Sequence, residues 1–247
     1  MVARGLFVGL RGEALFASKG VSSGEESSET TALDWRTGLD ERVFESLRDP
    51  VVNLACWERT IPFEHEASLA AWVAEDGDFS FETSWAGGAE GCESGFEGGA
   101  SWLDGLGEPC RSWLHADVTR LVRLVAGYSG GSALAVSLST VRSNKCRKFH
   151  ADYMHLRLVT TYVGPGTEWL PEEAIRREAL GVPSACPDEA NLRVVRSQGA
   201  IRGALSGHVV MMKGALHPGS PGAVHRSPPI EGSGLARLVL VISTVCE

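Results

Sequence analysis

Cys146-Arg147-Lys148-Phe149-His150-Ala151-Asp152-Tyr153 is the stretch from which fold and chemistry are read together. In extended chain, residues i and i+2 project to the same side. His150 and Asp152 therefore present an imidazole and a carboxylate side by side. A facial triad needs one more ligand, and His225 is the best candidate. It stands in Gly222-Ala223-Val224-His225-Arg226-Ser227-Pro228-Pro229, at the end of a predicted strand, with prolines to stiffen its loop. Two histidines and one carboxylate leave three positions open on an octahedral metal, the arrangement of non-haem Fe(II) oxygenases. A bidentate cosubstrate and O₂ can bind there. His208 and His155 are the alternative ligands. His217, between Leu216 and Pro218, reads as a loop residue, and His65 and His115 have no ligand-like neighbours.

Outward from this segment the pattern is of short strands separated by turn residues. Ala133 to Val141 alternates through Leu134, Val136 and Leu138. Leu156 to Val163 is β-rich and ends in Gly164-Pro165-Gly166. Arg193 to Val195, His208 to Met212, Ala223 to His225 and Leu235 to Thr244 are further strand candidates. Glu172 to Leu180, opened by Pro171, reads as a helix. The expectation is a mostly β fold with flanking helices (α+β), its strands forming a sandwich or barrel.

The 247 residues suffice for one sizeable core. Residues 1–33 end in a polar, acidic run from Ser22 to Thr31 and read as a disordered tail. Residues 34–247 are expected to form a single domain, with an α/β support region over about 34–130 and a β core over about 131–247. In the support region, Val51 to Trp57 reads as a strand and Ser68 to Val73 as a short helix capped by Ser68. Residues 111–127 carry apolar side chains near the 3.6 period and read as a helix. Residues 76–109 are Gly-rich and acidic, interrupted by Phe79, Phe81, Trp85, Phe96 and Trp102, and are expected to be a lid or a solvated insertion.

The net charge of −8 is unevenly spread. Residues 60–110 hold 11 acidic and no basic side chains, whereas residues 111–247 hold 16 basic and 10 acidic ones. The overall sign argues against a nucleic-acid partner. The basic half suits a small anionic ligand. No apolar run is long enough for a signal core or a membrane span. The six cysteines form no C-x-x-C pair, so free thiols and a cytoplasmic protein are expected.

The order of these features resembles the prolyl-hydroxylase-like branch of the Fe(II) and 2-oxoglutarate dependent oxygenases. His150-Ala151-Asp152 is followed by a strand and a Gly-bearing turn. His225 comes 75 residues after His150, and Arg237 twelve residues further on. The resemblance implies a double-stranded β-helix (jelly-roll, cupin-like) core and makes Arg237 the candidate anchor for the cosubstrate's far carboxylate. A guanidinium fork matches a carboxylate bidentately. Two residues after it stands Val239, where that superfamily often carries a hydroxyl. Lys213, Arg157, Arg226 and Tyr162 are the other candidate anchors, and Glu168 and Trp169 are candidates for lining the substrate mouth. More closely, the chain resembles a bacterial domain of unknown function, family 1826. The shared segments are Cys146 to Asp152, Leu156 to Pro171, Lys213-Gly214, His225 to Pro229 and Arg237-Leu238.

The expected function is a mononuclear Fe(II) oxygenase acting on a small, anionic substrate with 2-oxoglutarate and O₂. Two alternatives stand beside it. One is an iron oxygenase whose substrate itself chelates the metal. The other is a non-enzymatic metal-binding barrel, since such ligands also suit zinc.

Overall fold

The computed structural model describes residues 34–75, 78–86, 99–143 and 145–245. The expected tail, and the centre of the Gly-rich insert with Phe96, lie outside the described residues.

Seven strands form the main sheet: β1 (Trp35–Gly38), β2 (Leu54–Trp57), β3 (Ser80–Trp85), β4 (Leu134–Val141), β5 (Leu156–Val163), β8 (Val209–Lys213) and β10 (Arg237–Thr244). Their order is β1-β2-β8-β5-β10-β4-β3. Only β1 and β2 run parallel; the other neighbours are antiparallel. A second sheet, in the order β7-β6-β9, is built from β6 (Glu168–Trp169), β7 (Arg202–Gly203) and β9 (His225–Arg226). Three α-helices complete the described fold: α1 (Phe63–Glu75), α2 (Cys110–Tyr128) and α3 (Pro187–Val194). The fold is thus mixed α+β around a large antiparallel sheet.

The central strands are buried on both faces, which explains their nearly unbroken apolar sequences. Alternation then sorts their side chains. Leu156, Leu158, Tyr162, Val209, Met211, Leu238, Leu240 and Ile242 join the core shared with α1 and α2. Val159, Val210, Met212 and Val239 point the other way. With Leu54 and Cys56 they pack against Trp169, Ala204 and Ala223. The main sheet therefore has a helix-packed face and a face turned toward the smaller sheet.

A buried polar knot ties helix to sheet. Asp117 on α2 accepts two hydrogen bonds from Arg59, at 2.5 and 2.7 Å, and one from the Tyr162 hydroxyl at 2.7 Å. Burial and the adjacent Asp117 carboxylate push the Tyr162 phenol well above its usual pKa. Tyr162, expected as a possible carboxylate anchor, is instead committed to the helix-packed face.

Several expected elements differ in place or kind. α1 begins right after Pro62 and puts Ser68 in its interior, so Ser68 caps nothing. Glu172 to Leu180 is two 3₁₀ turns rather than a helix. The chain between them is held extended by pairing: Ile175 bridges Val195, and Arg176 N–H donates to the Val194 carbonyl at 2.8 Å. Tertiary pairing overrides the local helical pattern there. Arg193 and Val194 belong to α3 rather than to a strand; Pro187 at its start and acidic Asp188 and Glu189 in its first turn suit a helix N-terminus. The strand expected over Ala223 to His225 is shifted and shortened to β9, His225–Arg226. The insert contains β3, an edge strand that Phe81, Trp85 and the preceding Phe79 anchor to the helix-side core. Phe81 stacks on Trp102 with ring centroids 4.2 Å apart. Cys56, Cys110, Cys146 and Cys186 are free thiols, as expected. Among the described residues, no helix is long and apolar enough to cross a membrane.

Replacing Asp117 by Ala leaves the Arg59 guanidinium buried without a counter-charge. A loss of about 3–5 kcal/mol in denaturant unfolding is expected, whereas Arg120→Ala, removing an exposed pair with Glu41, should cost less than about 1 kcal/mol.

Candidate metal centre

Residue His150 reaches His225 through a two-residue antiparallel bridge. Each residue's N–H donates to the other's carbonyl, both at 3.0 Å. The ring centroids lie 4.6 Å apart. Asp152 comes in from two residues beyond His150. Its Oδ1 is 3.5 Å from His150 Nε2 and its Oδ2 is 3.2 Å from His225 Nε2. One ligand atom from each of the three lies within 4.8 Å of the other two.

The orientation of the imidazoles is decided by backbone carbonyls. His150 Nδ1 lies 2.8 Å from the Lys148 oxygen, and His225 Nδ1 lies 3.2 Å from the Ala223 oxygen. A carbonyl only accepts, so each Nδ1 carries a proton and donates it. In the neutral imidazoles both Nε2 lone pairs then face a carboxylate, which is repulsive unless a proton or a cation sits between them. Asp152 Oδ2 is buried and makes no hydrogen bond of good geometry. These are the attributes of a ligand set: unprotonated Nε2 atoms, Nδ1–H groups fixed by outer partners, and a carboxylate short of donors. With bonds of about 2.1 Å, neighbouring ligand atoms lie about 3.0 Å apart in an octahedron and about 3.4 Å apart in a tetrahedron. The two carboxylate–imidazole contacts, 3.5 and 3.2 Å, fall close to that range, so Asp152 is placed to share one small cation with either histidine.

The second layer of contacts explains why the three meet. Arg157 on β5 places a guanidinium nitrogen 2.8 Å from Asp152 Oδ2 and donates through Nε to Ser243 at 3.0 Å. Asn191 on α3 accepts from the Phe149 N–H at 2.8 Å and donates to the Arg147 carbonyl at 3.0 Å, which pins the chain entering His150. Arg177 donates to the Pro221 and Gly222 carbonyls and pairs with Glu172, which braces the loop entering His225. Ala215 N–H donates to the Asp152 carbonyl at 2.7 Å. A Cβ at Gly214 would lie 2.1 Å from the Met154 oxygen, so only glycine allows that approach.

The other expected site residues divide by sheet face. Arg237 is on the triad's face, 2 % exposed. It donates to the Pro165 carbonyl at 2.7 Å and to Thr161 Oγ1 at 3.1 Å. Among the described residues, no carboxylate lies within 4.0 Å of it. Burial lowers its pKa to about 10, partly offset by the more distant Glu168. Two of its five N–H donors are used. Arg226 is on the rim of the same region, but Glu168 takes its Nε at 2.7 Å and its guanidinium lies 4.4 Å above the Phe149 ring. Trp169 pairs with His225 across the small sheet and sits in the apolar cluster, 4 % exposed. Lys213, expected as a cosubstrate contact, shares the parity of Val209 and Met211 on the opposite, helix-packed face, and its ammonium donates to the Asp49 carbonyl. His155 and His208 are not in the cluster either; His208 Nδ1 lies 3.8 Å from the Cys56 sulfur. Asn191 and Arg177 are not among the expected site residues, and nothing in their local sequence marks them; Gly214 enters the sequence reading only within the shared Lys213-Gly214 segment.

This combination of an antiparallel sheet and a partly buried His-Asp-His cluster defines a candidate mononuclear metal protein with two histidines and one carboxylate. The chain belongs to the DUF1826 family, described as protein of unknown function, whose model matches residues 38–243. A comparison with curated proteins gives no match. Similar solved structures include a prolyl-4-hydroxylase from Pseudomonas putida, at 15 % identity and a TM-score of 0.40, covering 83 % of this chain and 93 % of that one. Another is the Fe(II)/α-ketoglutarate-dependent dioxygenase TqaL, at 11 % identity and a TM-score of 0.40, covering 74 % and 75 %. A third is a dioxygenase for auxin oxidation from Arabidopsis thaliana in complex with 2-oxoglutarate, at 9 % identity and a TM-score of 0.34, covering 75 % and 73 %.

The metal-free cluster has a defined pH signature. Burial alone would lower the His150 pKa, but the Asp152 carboxylate and the Lys148 carbonyl outweigh it and raise it above 6.5. Burial would raise Asp152, but the two histidines and Arg157 hold it well below 3.8. A raised histidine stabilises below its unfolded value and loses that contribution as pH rises through its folded one. A depressed carboxylate stabilises above its unfolded value and loses that as pH falls. Both contributions are in force between 3.8 and 6.5. The melting temperature of metal-free protein should therefore fall above pH 6.5 through His150, and His150→Ala should flatten that limb. Equal slopes in the two proteins would contradict the pairing described.

Proposed function

We propose that the protein is a mononuclear non-haem Fe(II) oxygenase that uses 2-oxoglutarate and O₂ to oxidise a small, anionic substrate. The observation that carries this reading is the convergence of His150 Nε2, His225 Nε2 and Asp152, with both Nδ1–H groups held by carbonyls. His150, Asp152 and His225 would hold the metal, in the two-histidine, one-carboxylate pattern that leaves positions free. Two sheets facing each other across the triad suit a double-stranded β-helix. Iron(II) held there supplies O₂ activation and, with a 2-oxo acid, the oxidising equivalents for attack on a substrate C–H or N–H bond.

The chain's own residues do the rest. Arg237 offers three uncommitted N–H donors and no neighbouring counter-charge, a fitting anchor for the far carboxylate of the cosubstrate. Thr161 and Pro165 keep its fork from turning. Arg157, four residues from Thr161 along the same face of β5 and hence about 13 Å away, holds the Asp152 carboxylate toward the histidines. Val159 and Val239 lie along that face between the two arginines. With Val210, Met212 and Trp169 they form a dry wall that strengthens each charge contact inside. Arg226, neutralised by Glu168, is better placed to shape the rim than to bind a cosubstrate.

The test is anaerobic reconstitution with Fe(II) followed by 2-oxoglutarate. A metal-to-ligand charge-transfer band and succinate formation on admitting O₂ are expected. His150→Ala should lose metal binding. Arg237→Met should keep it while raising the KM for 2-oxoglutarate about 10- to 100-fold, as befits losing hydrogen bonds to a charged group worth about 1.5–3 kcal/mol. Metal binding without a charge-transfer band or succinate would sink the 2-oxoglutarate reading. A preference for zinc with no oxygen consumption would sink the oxygenase reading altogether.

A further inference from the structure

The face of the main sheet turned away from the triad carries a cavity of about 660 Å³. It lies between the 3₁₀ helix Glu41–Arg48, the last turn of α2 and the ends of β5, β8 and β10. That volume is in the range of small-molecule sites. Its charged lining is of one sign. Lys213 and Arg48 border it together with His155 and His217, and no aspartate or glutamate does.

Lys213 is the informative group. It is 2 % exposed, and its ammonium donates to the Asp49 carbonyl at 2.8 Å. Two of its three N–H donors remain, and among the described residues no carboxylate lies within 4.0 Å. A buried ammonium without a counter-charge is costly to the fold on its own. Burial pulls its pKa down, and Asp49 only partly restores it. The remaining wall combines apolar and aromatic surface, including Leu47, Leu156 and Tyr128, with the hydroxyl residues Ser129, Ser132 and Thr244. The Ser129 and Ser132 hydroxyls are already donated to backbone carbonyls.

We propose that this cavity is a second binding site, distinct from the metal centre, for a small organic anion. A carboxylate or phosphate head meets Lys213 and Arg48, and a compact apolar or aromatic body fills the space against Leu47 and Tyr128. Alternation along β8 separates the two sites: Met212 faces the triad side and Lys213 the helix side. The proposal therefore stands whether or not iron is the metal.

The experiment is a calorimetric titration of the full chain with phenyl phosphate, with phenylacetate and with neutral benzyl alcohol. Saturable one-to-one binding of at least one anion is expected, with no comparable binding of the alcohol. Lys213→Met, close in volume and uncharged, should weaken the anion at least tenfold, and Arg48→Glu, on the exposed rim, should weaken it severalfold. His150→Ala should bind as the wild type does. Should Lys213→Met fail to fold, Arg48→Glu decides by itself. Binding unchanged in the soluble charge variants, equal binding of the alcohol, loss of binding in His150→Ala, or no binding of either anion at millimolar concentration would each overturn the proposal.

Discussion

Two backbone hydrogen bonds between His150 and His225 are the constraint on which the candidate centre depends. They close a sequence gap of 75 residues with a bridge a single residue pair long. A bridge that short does not hold itself. It is clamped from outside by Asn191 on one chain and by Arg177 on the other. Each clamp works on backbone carbonyls or N–H groups, so the imidazoles stay free for chemistry. The carbonyls of Lys148 and Ala223 then fix which nitrogen faces inward. The metal-facing geometry is thus set by main-chain atoms, and the side chains inherit it.

The rest of the architecture serves this bridge. The central strands of the main sheet are buried on both faces, so they cannot slip without turning apolar side chains to the wrong layer. The Asp117 knot fixes the helices to one face. That leaves the other face free for the smaller sheet, whose strand β6 carries Trp169 directly opposite His225. A one-residue slip of β9 against β6 would exchange His225 for Arg226 at that position and dismantle the cluster.

Much of the site was legible in the sequence because it rests on short-range geometry. The i, i+2 spacing of His150 and Asp152 places both on one side wherever the chain is extended, and the prolines after His225 mark a stiff loop. The large antiparallel sheet was legible from the alternation of β4 and from the β-rich, turn-bounded runs of β5 and β10. What was not legible depended on distant partners. The Glu172 to Leu180 pattern reads as a helix until Val195 pairs with Ile175. Asn191 has nothing in its local sequence to say that its amide ends on Arg147 and Phe149. The strand β3 is masked for a different reason: Phe79, Phe81 and Trp85 alternate along it and the residue before it, but the surrounding glycines argue for a loop.

Net charge distribution proved less informative than burial and parity. The basic C-terminal half holds several arginines that sequence alone offers as anion anchors. Structure separates them by what each already touches. Arg157 is committed to Asp152 and Arg226 to Glu168. Among the described residues, Arg237 and Lys213 are the buried cations whose hydrogen bonds go to neutral groups only, and they stand on opposite faces of the same sheet. The period-two rule assigns them: odd positions of β10 face the triad, while Lys213 continues the row of Val209 and Met211 toward the helices. One residue of register decides whether a buried cation serves the metal centre or the cavity behind it. Charge counted along the chain cannot make that distinction, because it discards the one coordinate, face, on which the chemistry depends.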